Sequence, residues 1–305
     1  MFIKKVLLIY GGTSSEYEVS CNSAKEITEY IDTSKYILSC VKITKNGKWL
    51  QNDKEIDNII KFLKQFDVIF PITHGTDGED GKLQGLLDLF KLKYVGSKWG
   101  SSYICMDKEY SKLVFKDLNI PIVPYQVYED KLNISFPVIV KPANGGSSIG
   151  ITKANNEKEF KKAVKIAKNY NQKVIVEKFI NARELECAVL EDKNLIISNP
   201  GEIKCNSEFY DYKAKYKNNN SELIVSAEIE DEIKNKIKNI AKLLFEKLNL
   251  NGFARIDFFY DGNNVYINEI NTIPGFTKKS MFPKLMENEG ISYSELITKL
   301  IENAK

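Results

Sequence analysis

Hydrophobic positions along this chain follow two rhythms. In the first third, apolar runs at Val6 to Tyr10, Tyr36 to Ile43 and Asp67 to Thr73 bracket a helical pattern over Ser23 to Tyr30. Short buried-type strands interleaved with helix imply a mostly parallel sheet with helices on its faces, an open α/β unit closing near Tyr94-Val95-Gly96. A second block starts near Lys98 with a helix over Asp107 to Leu118, which ends at Asn119-Ile-Pro-Ile-Val-Pro because two prolines exclude helix. Strands at Pro137 to Lys141, Ile149 to Thr152 and Lys173 to Phe179, with a charged helix at Glu157 to Asn169, make it a small α+β unit. The third block opens with a strand at Glu184 to Leu190 and carries a long amphipathic helix from Asp231 to Leu248. Ala254 to Tyr260 and Val265 to Asn271 then alternate strongly around Asp261-Gly-Asn-Asn264, a hairpin turn signal, and a helix near Tyr293 to Asn303 closes the pattern. The expected division is 1–97, 98–181 and 182–305.

At 305 residues, each unit has enough chain to bury a core without metals or disulfides. Hydrophobic residues at 43% and charged residues at 28% place the chain with ordinary globular proteins and away from disordered or membrane classes. The net charge of +3 is spread through interspersed Lys, Glu and Asp, which excludes a nucleic-acid binder and leaves small acidic ligands open. Five cysteines, odd in number and without a C-x-x-C pair, read as free thiols in a reducing cytoplasm. The apolar run after Lys4-Lys5 is shorter than a signal-peptide core and reads as a first strand, and no stretch approaches the roughly 20 apolar residues of a membrane span.

The hairpin changes this picture most. Residues two apart on a strand share a face, so Arg255 pairs in direction with Asp257, and Glu269 with Asn271. A three-residue loop at Gly262 to Asn264 would set Asp257 opposite Glu269 and Arg255 opposite Asn271; a two-residue loop would slip the register and separate them. Two carboxylates and an amide oxygen on one patch suit Mg²⁺, which would hold nucleotide phosphates; the plainer alternative is a cross-strand salt bridge on a solvated face. Lys141-Pro-Ala-Asn-Gly-Gly-Ser-Ser-Ile-Gly150 is a glycine-rich turn that either cradles phosphate with its N–H groups or is a plain flexible hairpin. It is not a P-loop. In Gly11-Gly-Thr-Ser-Ser-Glu-Tyr-Glu-Val-Ser20 the chain leaves a strand for a helix where open α/β sheets bind ligands, although Glu16 and Glu18 would equally complement the helix end. His74, the single histidine, follows a strand into a polar glycine loop, which favours a ligand contact over core packing.

Gly11 to Ser20, His74-Gly-x-x-Gly-Glu-Asp-Gly-x-x-Gln-Gly85, Phe209-Tyr-Asp-Tyr-Lys-Ala-Lys-Tyr216 and Asn268-Glu-Ile-Asn-Thr-Ile-Pro-Gly-Phe-Thr277 resemble, in order and spacing, the signatures of the D-alanine:D-alanine ligase family. The resemblance runs from Gly11 to Pro283. It implies a three-domain ATP-grasp fold with an N-terminal open α/β domain, and ATP-dependent joining of two D-alanines through an acylphosphate for peptidoglycan synthesis. ATP as cosubstrate, two Mg²⁺ replaceable by Mn²⁺, and a homodimer are the implied partners. Residue by residue, it implies phosphate contacts from Lys108 and Lys141, adenine binding at Glu177, Lys178 and Ile180, ribose binding by Glu184, and metal ligation by Asp257, Glu269 and Asn271. Glu16 would bind the first D-alanine's ammonium, with Ser147 and Tyr216 completing a hydrogen-bonded set and His74 near the carboxylate. Arg255 and the Gly275 N–H would stabilise the oxyanion, while Lys215, Ser280 and Met281 would orient the second substrate. Tyr216 and Met281 match the alanine-adding branch against the D-lactate and D-serine branches. Lys279 departs from the family pattern on the acceptor rim.

Overall fold

A computed structural model describes residues 3–205 and 221–305, so Lys215, Tyr216 and the rest of the Phe209 to Tyr216 motif lie outside the described residues. The chain opens with β1 (Lys4–Gly11), α1 (Tyr17–Tyr30), β2 (Tyr36–Ile43), β3 (Trp49–Gln51), β4 (Lys54–Glu55), α2 (Ile59–Leu63), β5 (Val68–Pro71) and α3 (Lys82–Leu89). These build a five-stranded sheet, β4-β3-β2-β1-β5, in which β1 pairs parallel with β2 and β5. Parallel strands require crossovers, and α1 supplies one, starting six residues earlier than the apolar pattern suggests because Tyr17 to Asn22 forms its half-exposed first turns.

Two helices follow, α4 (Trp99–Met106) and α5 (Lys108–Asp117). The sequence pattern marks only the second. α4 is written in Gly, Ser and aromatic residues of poor helical propensity, and tertiary contacts hold it: Ser101 Oγ donates to the Leu248 carbonyl at 2.7 Å. Asp107 separates the two helices and caps α5 by accepting from the Glu109 and Tyr110 N–H groups at 3.0 and 3.3 Å.

Next come β6 (Tyr125–Tyr128), β7 (Val138–Pro142), β8 (Thr152–Ala154), α6 (Glu157–Lys168) and β9 (Val174–Lys178), forming a four-stranded sheet in the order β6-β9-β7-β8. α6 buries Phe160, Ala163, Val164 and Ala167 at helical spacing against this sheet, giving the unit a core of its own. β8 starts at Thr152 and not at Ile149, because Gly150 takes a positive φ of 74° and keeps the preceding residues in the turn.

The last unit contains β10 (Arg183–Leu190), β11 (Ile196–Ile197), β12 (Gly201–Cys205), β13 (Ser221–Ile224), α7 (Asp231–Lys247), β14 (Phe253–Tyr260), β15 (Val265–Asn271), α8 (Met281–Asn288) and α9 (Tyr293–Glu302). Its antiparallel path runs β13-β12-β10-β14-β15, with β11 beside β10. α7 covers one face of this sheet, through Ile237, Ala241, Leu244 and Phe245 against Leu185, Ile256 and Ile267. Its other face packs α8, and Phe253, Phe276, Phe282 and Tyr293 join Val6, Leu8 and Phe70 of the first sheet in one continuous core. The first and last units are thereby fused, while the four-stranded unit stands on its separate core.

Candidate active site

The β14–β15 hairpin brings its polar residues together by a route different from the expected turn. Tyr260 pairs with Val265, so the connection is the four residues Asp261 to Asn264, and that register alone would place Asp257 opposite Asn268. A bulge at Asn268 adds one residue to β15, and beyond it Asp257 faces Glu269 and Arg255 faces Asn271. The bulge also explains how Ile267 and Ile270, three apart, are both buried, at 0% and 4% exposure. The patch is buried: Arg255 and Asp257 are each 8% exposed, and the ion pair runs along one strand, from Arg255 Nε to Asp257 Oδ1 at 2.8 Å and from Nη2 to Oδ2 at 2.7 Å. Asn271 Nδ2 donates to the same Oδ2 at 2.9 Å, and Glu186 Oε2 on β10 stands 3.1 Å from Arg255 Nε. Burial works against the guanidinium charge, but Asp257 and Glu186 outweigh it and hold the proton firmly.

Two cavities meet here. One, of about 470 Å³, lies between the four-stranded sheet and the last sheet and is lined by Lys108, Lys141, Glu177, Lys178, Ile180, Glu184, Asp257 and Glu269. The other, of about 670 Å³, is lined by Glu16, His74, Glu79, Arg255, Glu269, Asn271, Gly275, Ser280 and Met281, with Lys279 on its wall. Lys108, Gly145, Gly146, Ser147, Glu186 and Glu269 border both, so the glycine turn is the partition between them. All sixteen described candidates among the residues singled out from the sequence therefore line one cavity or the other.

In the first cavity, Lys108 Nζ donates to the Gly145 carbonyl at 2.7 Å, tying α5 to the turn. Burial lowers its proton affinity, with Glu269 opposing and Lys141 reinforcing. Lys141 and Glu177 sit on neighbouring strands β7 and β9, and Lys141 Nζ reaches Glu177 Oε2 at 2.6 Å. Burial alone would raise the Glu177 carboxyl, but Lys112 and Lys141 bring it down to about 2. Lys178 Nζ is taken by the Ser135 and Phe136 carbonyls at 2.9 and 3.1 Å. Ser147 and Ser148 hold positive φ values of 54° and 56°, strain concentrated in the partition itself.

In the second cavity, Glu16 precedes α1, and its carboxylate is threaded between two glycines: a Cβ on Gly75 would lie 2.6 Å from Oε2, and one on Gly146 3.0 Å. His74 spends both ring nitrogens on the protein, donating from Nδ1 to the Ile273 carbonyl at 2.8 Å and accepting at Nε2 from Ser23 Oγ at 3.2 Å. Burial favours its neutral form. Glu79 grips the same residue from the other side, Oε1 accepting from Ile273 N–H at 3.0 Å and Oε2 from Gly75 N–H at 3.1 Å. Its burial and the Glu16 charge push its carboxyl up to about 7. Ser280 occupies the N-terminal boundary of α8, where Thr277 Oγ1 lies 2.9 Å from its Oγ, and Met281 begins that helix, buried at 3% exposure.

Sequence reasoning overlooked Lys112, Glu79 and Glu186. The signals were present: Lys112 is one helical turn beyond Lys108, Glu79 sits inside the His74 motif, and Glu186 shares a strand face with Glu184.

Two family profiles match this chain, the D-ala D-ala ligase N-terminus over residues 5–61 and 53–97 and the D-ala D-ala ligase C-terminus over residues 114–302. A D-alanine--D-alanine ligase of Acetivibrio thermocellus is 41% identical, covering 99% of this chain and 96% of that protein. D-alanine--D-alanine ligase B of Clostridium tetani is 43% identical over 98% and 93%. Among solved structures, the VanG D-Ala:D-Ser ligase of Enterococcus faecalis superposes with a TM-score of 0.89 at 33% identity, covering 99% of each chain. The D-alanine-D-alanine ligase of Coxiella burnetii gives 0.85 at 32% identity over 99% and 93%. The three-sheet arrangement is accordingly the ATP-grasp architecture, and with both profiles matched and relatives above 40% identity along its length, this chain belongs to the D-alanine:D-alanine ligase family.

Proposed function

We propose that the protein joins two D-alanines at the expense of ATP, releasing ADP and phosphate, in the supply of peptidoglycan precursors. The observation that carries the reading is the pair of cavities sharing the Gly145–Ser147 partition, one rich in lysine and the other walled by Glu16, Arg255 and the Gly275 loop. A carboxylate is a poor electrophile toward an amine, so its oxygen must first take the γ-phosphoryl group as ADP leaves. Lys108 and Lys141 supply positive charge on the nucleotide side. Glu16 holds the ammonium of the first D-alanine and so turns its carboxylate toward the partition. The second D-alanine's nitrogen then attacks the acyl carbon and phosphate departs. Arg255 and the Gly275 N–H serve as preorganised donors to the developing oxyanion, where loss of one donor typically costs about 10² to 10³ in rate.

Asp257 and Glu269 face each other in register, with Asn271 beside them. Among the described residues, no three His, Cys, Asp or Glu side chains form a closed metal cage. Two carboxylates and an amide fit a hard cation that completes its shell with phosphate or water oxygens, so we assign these three to Mg²⁺, with Mn²⁺ as a substitute. When bound, the ion would neutralise phosphate charge. The division at 1–97, 98–181 and 182–305, a homodimer and a cytoplasmic location complete the reading. Among the described residues, no helix is long and apolar enough to cross a membrane.

D-serine is the competing acceptor, because a D-Ala:D-Ser ligase is among the structural relatives and Lys279 and Lys284 both border the acceptor side. Purified protein given ATP, Mg²⁺, D-alanine and equimolar D-serine or D-lactate should yield D-alanyl-D-alanine as the main product. Predominant D-alanyl-D-serine or depsipeptide would overturn the acceptor, and absence of phosphate release would overturn the ligase reading.

A further inference from the structure

Lys112 is the most deeply buried cation of the nucleotide side, 1% exposed and absent from the walls of either cavity. Helical spacing places it on the same face of α5 as Lys108, one turn further from the partition. Its Nζ lies 2.8 Å from Glu177 Oε1, while Lys141 Nζ lies 2.6 Å from Oε2 of the same carboxylate. Ending a buried lysine on a carboxylate already paired to another lysine is costly in desolvation, so its presence calls for a reason beyond stability.

The charge count supplies one. With Glu177 and Lys141 alone, the two would neutralise each other at contact distance. Lys112 adds a second positive charge against the single negative one, so the buried cluster of Lys112, Glu177 and Lys141 carries net +1. We propose that Lys112 is a positioning residue for phosphate binding, which leaves Lys141 available to the nucleotide by sharing the charge of Glu177. This rests on the reading of the 470 Å³ cavity as the nucleotide site. Lys112 does not touch the ligand; it acts through Glu177 on Lys141. The depressed proton affinity of Glu177 agrees, since it keeps the shared carboxylate ionised throughout the working pH range.

The test compares wild type with Lys112→Met, Lys112→Arg, Glu177→Gln and the double variant Lys112→Met/Glu177→Gln. Each is assayed for the KM of ATP, the KM of D-alanine and the Kd of ADP by titration calorimetry. Loss of a charge-assisted contact is the scale of effect involved, so Lys112→Met should raise the ATP KM and ADP Kd about tenfold while the D-alanine KM moves less than about twofold. Lys112→Arg should restore nucleotide binding to within about threefold, and in the Glu177→Gln background Lys112→Met should add less than about threefold, because coupled residues are not additive. Equal increases in both KM values, a lowered Tm with unchanged ADP affinity, or the same increment in both backgrounds would overturn the proposal. Should Lys112→Met not fold, Lys112→Gln keeps a polar tip without the charge and must give the same split. Wild-type protein that binds no ADP would instead remove the nucleotide reading, and the role of Lys112 with it.

Discussion

Glu16 and Glu79 are carboxylates in the same cavity with different surroundings. Glu16 is pinched between Gly75 and Gly146, so Gly75→Ala would both strain a φ of 74° and push on the carboxylate. Gly75→Ala and Glu16→Gln should share one kinetic signature, a rise in the D-alanine KM well beyond that for ATP; an unchanged D-alanine constant with a lowered Tm would make Glu16 a helix-end charge only. Glu79 titrates near 7 against an ordinary 4.5. Between those values the folded chain holds a proton that the unfolded chain has released. Its contribution to stability is therefore complete below pH 4.5 and lost as pH rises through about 7. Glu177 has the opposite sign: held near 2, it contributes above 4.5 and loses that contribution as pH falls toward 2. Denaturant midpoints measured from pH 3 to 8 should flatten above 4.5 in Glu79→Gln and below it in Glu177→Gln, relative to wild type. At the hairpin, Glu269→Gln should lower kcat by at least about 100-fold with little change in Tm; wild-type turnover at low Mg²⁺ would remove the metal assignment.

At the level of elements, the β15 bulge is the feature that most repays attention. Deleting Asn268 would leave a regular strand in which Asp257 still opposes Glu269, but without the local twist that a bulge adds. The deletion variant is expected to stay folded while losing at least about tenfold in kcat/KM, read by circular dichroism beside steady-state kinetics. This is also where sequence reading reached its limit. The four polar residues of the hairpin were legible because alternation is a local property. The register that joins them was inferred from the wrong turn, and only the spacing of Ile267 and Ile270 hinted at an extra residue. α4 stayed hidden because its residues favour helix weakly and neighbours decide its state. Lys112 and Glu79 were legible as residues but silent as functions, since their partners lie at Glu177 and Ile273, far along the chain.

For the whole molecule, the distribution of cores sets the mechanics. Phe276 sits fully buried where the first and last units share one core, with Phe70, Phe253 and Phe282 around it. Phe276→Ala should cost about 3–5 kcal/mol and lower the melting of both units together, seen as one shifted calorimetric transition. The four-stranded unit, on its own core, should exchange its amide hydrogens with a separate protection pattern. The Ile273 backbone is gripped on its carbonyl by His74 and on its N–H by Glu79, both from a segment almost two hundred residues earlier. The span between the Glu16 carboxylate and the Gly275 loop is thus a gauge cut when the chain folds. With Glu16 holding the first D-alanine as proposed, D-amino acids with bulkier side chains are expected to be turned away at binding, a selection read as a raised KM before any chemistry begins.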